Sequence, residues 1–310
     1  MVLVLVAGGA RLGVGLPEGD PDVLLAPGGA GGITLPIEYP VGEELPNLGD
    51  APGPLAAVWL THRAEVGGAP EAVGLVAETG TFGTLPIDLS LFIYEAPVHH
   101  LALTLSPDGR RVAYFIPTEG SWGEDDPRGW QLVVRDLVSG EDHSDAFEFG
   151  VRPGVTWLDS TRLVGWSTGG DTNGWIWEPG TAPKRVNPHT YLDWPGGLGP
   201  PVVIVEGDPP CRSPGISDHR ADHRRTAKSV LCDELGVIGH EVLLGHLNSG
   251  YEGPDNRQRP VVALDVRNSA DWPFDDPALR RVVVSPGAPH PVTFAVDLLA
   301  QALEADGDGS

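Results

Sequence analysis

The feature that most constrains this chain is the recurrence of short, β-prone apolar runs, each closed off by glycine, proline or an Asp-containing turn. LAAVWL (55–60), AVGLVAE (72–78) and GTLPIDL (83–89) are followed by HHLALTLS (99–106), RVAYFIP (111–117), WQLVVRDL (130–137) and DAFEFG (145–150). VTWL (155–158), RLVGWS (162–167), NGWIWEP (173–179) and PKRVN (183–187) keep the same rhythm. After a proline-rich joint come PVVIVEGD (201–208), SVLCDE (229–234), HEVLLGHL (240–247), PVVALDV (260–266), RRVVVS (280–285) and VTFAVDLLA (292–300). Runs of this length, rich in Val, Leu, Ile and Trp and bounded by turn formers, read as strands. No run before the last sustains a three-four apolar spacing, so helix is expected to be a minor element. The 42 glycines and 31 prolines among 310 residues would suggest disorder in a chain of scattered apolar residues. Here they punctuate strands, and the fold class expected is all-β.

Grouped in fours, the strands give units of about 40 to 50 residues, the period of propeller blades. The clearest units run from His99 to Gly150 and from Val151 to Tyr191. A four-stranded sheet cannot bury both of its faces alone, whereas sheets stacked around an axis can. The expectation is a β-propeller over residues 54–300 with about six blades, five to seven being compatible with the length. Residues 16–53, rich in Pro, Gly, Asp and Glu, read as an extended linker or clamp, and residues 301–310 as a flexible acidic tail. MVLVLVAGGARLGVG, residues 1–15, is too short for the ~20 apolar residues of a membrane span. It reads either as a strand or as the end of an anchor whose beginning is missing. An extracytoplasmic or membrane-anchored location is therefore expected, with a cytoplasmic one as the alternative.

With 43 acidic against 20 basic residues the formal net charge is −23, which repels nucleic acid and anionic membrane surfaces. No cofactor pattern stands out, and the candidate metal patterns read weakly. In HEVLLGH, His240 and His246 do not stand four apart, as two zinc ligands on one helical face must, and the segment reads as a strand. DHRADHRRTAK (218–228) reads as a solvated loop. The acidic turns GEDDPRG (123–129), GEDHSD (140–145) and GGDTNG (169–174) lack the ordered ligand series of a calcium loop. Gly165-Trp166-Ser167-Thr168-Gly169 satisfies G-x-S-x-G, but the glycines and tryptophans after it suggest a hairpin instead of the helix a nucleophilic serine needs. Ser167 is accordingly not expected to be a nucleophile. Most of the nine tryptophans should wedge between blades; Trp122 and Trp194, on loops, are the candidates for facing a ligand.

One segment is more specific. In LSPDGRRVAYFIP (105–117), Ser106, Pro107, Asp108 and Gly109 form a turn motif: Pro107 presets φ, Asp108 accepts backbone N–H bonds and Gly109 takes the positive φ that closes a hairpin. The strand after it alternates Val112, Tyr114 and Ile116 against Arg111, Ala113 and Phe115. This segment resembles the blade signature of TolB-like and related WD-repeat-like propellers, as do VVRDLVSGE (133–141) and VTWLDSTRLVGWS (155–167). The resemblance covers roughly residues 98–190. It implies a non-catalytic module that presents a propeller face or axial channel to a protein, peptide or small ligand. The alternative is a propeller-based hydrolase or carbohydrate-active enzyme using channel carboxylates.

Cys211 and Cys232, the only cysteines, flank the basic loop. In an oxidising compartment they should pair and close that loop, adding about 3 kcal/mol by restricting the unfolded chain. Thiol titration of denatured, unreduced protein should find no free thiol; two free thiols in protein from its native compartment would contradict both the pairing and the export reading.

Overall fold

A computed structural model describes residues 24–25, 32–61, 71–87, 89, 103–117, 130–147, 153–167, 174–186, 231–238, 242–247, 259–265, 280–289 and 292–304. Among these residues the regular structure is strand except for one helix, and the strands form four sheets arranged as a β-propeller. One blade is β5 (Leu103–Leu105), β6 (Arg111–Pro117), β7 (Trp130–Asp136) and β8 (Asp142–Phe147), paired in sequence order. The next is β9 (Pro153–Trp157), β10 (Leu163–Ser167), β11 (Gly174–Trp177) and β12 (Lys184–Val186). A third is β13 (Leu231–Ile238), β14 (Val242–Leu247), β15 (Val261–Asp265) and β16 (Arg280–Val284), with the parallel β1 (Leu24–Leu25) on its outer edge. The fourth joins the two ends of the fold: β17 (Val292–Phe294) pairs antiparallel with β2 (Leu55–Thr61), which continues into β3 (Glu71–Val76) and β4 (Phe82–Thr84). The inner strands are neighbours around the axis: β13 lies beside β17, β17 beside β5, and β5 beside β9.

Four blades are described where about six were expected. Described blades differ in the length of chain they take, from Pro153–Val186 to Leu231–Val284, and residues 187–230, between two of them, lie outside the described residues. The expected strand at 201–208 lies outside the described residues. The last run divides, with Val292–Phe294 forming a strand and Val296–Glu304 a helix, α1. Residues 301–304 of the expected tail are thus helical, and Ala302 is buried.

Strand alternation explains the packing. Successive side chains point to opposite faces, so each strand feeds two inter-blade cores. In β6, Val112 and Tyr114 pack toward β2 and β3, while Ala113 and Phe115 pack toward the following blade. In β2, Trp59 turns toward the blade of β13–β16, and Val58 and Leu60 turn the other way. Trp157, Trp175 and Trp177 join Phe115 between the β5–β8 and β9–β12 blades. The four tryptophans whose burial is described therefore wedge between sheets as expected.

Residues 32–53 run along the sheet edges. Ile33, Leu35 and Ile37 are buried in the core beside Trp59 and Val283. The Ile37 N–H donates to Val283 O at 2.7 Å and the Ser285 N–H to Ile37 O at 2.9 Å. Farther on, the Leu48 N–H donates to Thr84 O and the Thr84 N–H to Pro46 O. This strap thereby covers the outer edges of two blades, groups that would otherwise invite edge-to-edge pairing.

The Ser-Pro-Asp-Gly turn forms as the sequence predicts. The Gly109 N–H donates to Ser106 O at 2.8 Å, and Gly109 has φ +72°. Buried Ser106 donates its hydroxyl to Asp108 Oδ1 at 2.7 Å and accepts the Arg111 N–H at 2.9 Å. A Cβ on Gly109 would also run into the carbonyl oxygen of Leu55. Two constraints thus meet at this position, whereas Gly180, with φ +87°, has open space around it.

Gly109→Val should lower stability by at least about 1–3 kcal/mol from the φ requirement alone. Gly109→Ala should cost more than Gly180→Ala, because only the former adds the Leu55 contact. Denaturant midpoints measure both, and equal costs would contradict the close approach.

Candidate binding face

Antiparallel order makes successive connections leave opposite ends of a blade. At one end lie the β5–β6 turn (106–110), the β7–β8 turn (137–141), the β9–β10 turn (158–162), the β3–β4 turn (77–81), the entry to β2 and the start of α1. Hydrogen bonds tie these together: Leu55 N–H to Gly109 O (2.9 Å), Asp297 N–H to Pro107 O (3.0 Å), Leu137 N–H to Arg110 O (2.8 Å), Gly53 N–H to Leu137 O (2.8 Å) and Ala77 N–H to Pro54 O (2.9 Å). Arg111 Nη1 reaches the next blade and donates to Ser160 O at 2.7 Å. The described turns at this end form one hydrogen-bonded surface.

Several of its charged side chains are occupied locally. Asp136 Oδ1 accepts the Val138 and Ser139 N–H groups, both at 2.9 Å, and its carboxylate stands 3.7 Å from Arg111. Asp159 accepts the Thr161 and Arg162 N–H groups and is bridged by the Arg162 guanidinium. Burial raises the pKa of both aspartates, but these donors and neighbouring arginines outweigh it and hold each below its ordinary value. Arg135 binds Asp142 through two bonds of 2.7 Å and donates to Pro86 O at 2.8 Å, linking two blades; the Asp142 bond first of all raises its pKa. Asp142, in one of the acidic turns weighed for calcium, is thereby engaged in an ion pair. Asp297, in the first turn of α1, differs: partial burial and then the Asp108 carboxylate push its pKa up.

The other end carries the connections between second and third strands, 62–70, 118–129, 168–173 and 248–258, and those leading to the next inner strand, 148–152 and 187–230. They lie outside the described residues, but their anchoring strand ends share this end. Trp122 falls in 118–129, Trp194 and Cys211 in 187–230. Trp272, in 266–279, belongs to the connection that leaves the short-turn end. The backbone of Cys232 is in β13, its side chain outside the described residues, as are the other two acidic turns and His240. His246 is a buried residue of β14, a strand as expected. Ser167 ends β10, and the next described element is β11, paired antiparallel to it from Leu163–Trp177 to Trp166–Gly174. A hairpin stands where a nucleophilic serine would be followed by a helix.

Sequence reasoning missed Arg111 and Arg135 as inter-blade links, which no local pattern marks.

Among the described residues no helix is long and apolar enough to cross a membrane. Comparisons with family models, curated proteins and solved structures find no match to this chain. The propeller assignment therefore rests on the chain's own sheet order and packing.

The raised pKa of Asp297 means that the folded state holds its proton more tightly than the unfolded one. Ionised Asp297 thus costs stability above its folded pKa, and the cost fades as pH falls toward the unfolded value. Asp297→Asn should raise the unfolding midpoint slightly near neutral pH, by an amount that shrinks as pH drops toward about 4. Asp136 and Asp159 have the opposite sign: their contribution is present above the unfolded pKa and is lost as pH falls through the folded one. A lower midpoint for Asp297→Asn near neutral pH would show that its place at the helix N-terminus outweighs the repulsion.

Proposed function

We propose that this chain is a non-catalytic recognition module, a propeller of the TolB-like or WD-repeat-like kind. It presents the face opposite the short turns, or its axial channel, to a protein, peptide or small ligand. The observation that supports this reading is the division between the two ends. At one, Asp136, Asp159, Arg111 and Arg135 are engaged in turns and inter-blade bonds; at the other, the connections that hold Trp122 and Trp194 leave their strands. Binding residues concentrate on such loops, held by a rigid scaffold, and tryptophans commonly dominate binding energy. An extracytoplasmic setting belongs to the same proposal and rests on the expected pairing of Cys211 with Cys232.

The test compares proteins retained by the immobilised full chain, by a Trp122→Ala/Trp194→Ala variant and by Val138→Asp on the short-turn face. A partner should bind at least about tenfold less to the tryptophan variant and equally to Val138→Asp. Loss confined to Val138→Asp would place recognition on the wrong face. Stoichiometric fluorophosphonate labelling, abolished by Ser167→Ala, would replace the module by a hydrolase.

A further inference from the structure

Three aromatic rings close on one another beneath the strap. Tyr39 stands 5.4 Å from Trp59 and 5.7 Å from Phe82, and Trp59 stands 5.5 Å from Phe82, centroid to centroid, all tilted or edge-on. Trp59 is fully buried, yet among the described residues its indole N–H meets no acceptor. A buried tryptophan usually finds a partner for that group, because an unpaired donor bears its whole desolvation cost. The closed arrangement is therefore incomplete in one respect: it gives Trp59 apolar surface and no hydrogen-bond acceptor.

Of the three rings, Tyr39 is the one carried outside a sheet. Trp59 lies in β2, paired with β17 on one side and β3 on the other, and Phe82 lies in β4, opposite Leu75. The strap is tied before Tyr39 by the bonds between Ile37 and Val283 and between Ser285 and Ile37, and after it by the bonds of Thr84 with Pro46 and Leu48. Between these anchors the one backbone bond among the described residues is internal, from the Val41 N–H to Tyr39 O at 2.9 Å. Residues 41–44 are exposed, Val41 to 69%, and Gly42 takes φ +76° with open space around it. Tyr39 and Leu45 pack partly buried against the core. Residues 38–45 thus have the build of a flap, tied at both ends, exposed at the tip and held down by side chains. Burial and then the Glu71 carboxylate push the Tyr39 hydroxyl up to about 12, so its ring is neutral at ordinary pH.

We propose that residues 38–45 are a lid over an aromatic site on Trp59 and Phe82, which takes a small neutral aromatic molecule bearing a hydrogen-bond acceptor in place of the Tyr39 ring. Such a molecule restores the ring contacts that Tyr39 gives up, and its acceptor receives the indole N–H that the closed lid leaves unpaired. A ring seated where Tyr39 sits brings a substituent atom within reach of the edge of the indole. A hydrocarbon ring leaves the donor unpaired. An anion meets the Glu71 carboxylate and the field of a chain with formal net charge −23, and an ammonium group has no lone pair with which to accept the indole proton. The site goes beyond the recognition reading and does not depend on Trp122 or Trp194.

The experiment uses the full chain and follows calorimetry and the Trp59 indole proton resonance, assigned by its loss in Trp59→Phe, with acetophenone, ethylbenzene, benzoate and benzylamine. Acetophenone should bind the wild type saturably and shift that resonance. Ethylbenzene, of similar shape without the oxygen, should bind about tenfold more weakly, the effect of one hydrogen bond, and this preference should vanish in Trp59→Phe. Tyr39→Leu should tighten acetophenone binding at least about tenfold, since the tyrosine no longer competes for the position. Tyr39→Phe and Trp122→Ala/Trp194→Ala should bind as the wild type does. In the wild type itself, nuclear Overhauser contacts of the Tyr39 ring with Trp59 and Phe82 should be lost on saturation, a readout that needs no variant. Absence of saturable acetophenone binding to the wild type, equal binding of ethylbenzene, or tighter binding of benzoate or benzylamine would overturn the site. Ring contacts that persist in the complex, or weaker binding to folded Tyr39→Leu, would overturn the lid.

Discussion

The sheets in this chain are apolar on both faces, and that condition shapes the rest of the structure. Strand alternation sends Tyr114 and Phe115, adjacent in sequence, into two different cores, so the β5–β8 sheet needs a neighbour on each side. The same holds for the sheet containing Trp59 and Val58. Truncating a buried Phe or Trp costs about 3–5 kcal/mol, against a total stability of about 5–15 kcal/mol for a typical domain. Leaving one face unpaired is thus not an available state, and the sheets must follow one another around an axis.

A succession of sheets still has ends. The β17–β2 pairing joins the beginning and end of the fold in one blade, and the strap at residues 32–53 covers the outer strands β16 and β4. The short-turn end reinforces the ring through bonds that cross from blade to blade, at Arg111 to Ser160 and Arg135 to Pro86. Fixing that end in this way sets the opposite connections on a rigid base. Rigidity at the base is what a recognition surface requires if its loops are not to lose affinity to ordering entropy.

What the sequence made legible was local. Strands showed as alternation, and the Asp108-Gly109 turn showed as residue types with a single conformational use. The tryptophan wedges followed from ring size and the flare between blades. Less legible was anything that depends on distant parts of the chain. Val292 pairs with Trp59, and no local pattern marks a partner so far away in sequence. Ile33, Leu35 and Ile37 alternate as a strand would, but Pro36, Pro40 and the surrounding glycines and acids made residues 16–53 read as a linker or clamp. Blade number was less legible too: four blades stand among the described residues where about six were expected, because connection lengths vary independently of the sheets. For the candidate site, the sequence offers Trp122 and Trp194 from their Gly-rich surroundings, and both lie outside the described residues.

The central claim is that ring closure through β17 and β2 makes the blades one cooperative unit. Amide hydrogen exchange on the full chain and on a chain ending before Val292 tests it most directly, with protection read at β2, β3 and the β5–β8 blade. The account predicts that β2 and β3 lose protection in the shortened chain and that the loss spreads into β5 and β6, whose core they share. Protection unchanged in β5–β8, and reduced only beside the deletion, would mean that the blades stand independently and that closure is not what holds the fold.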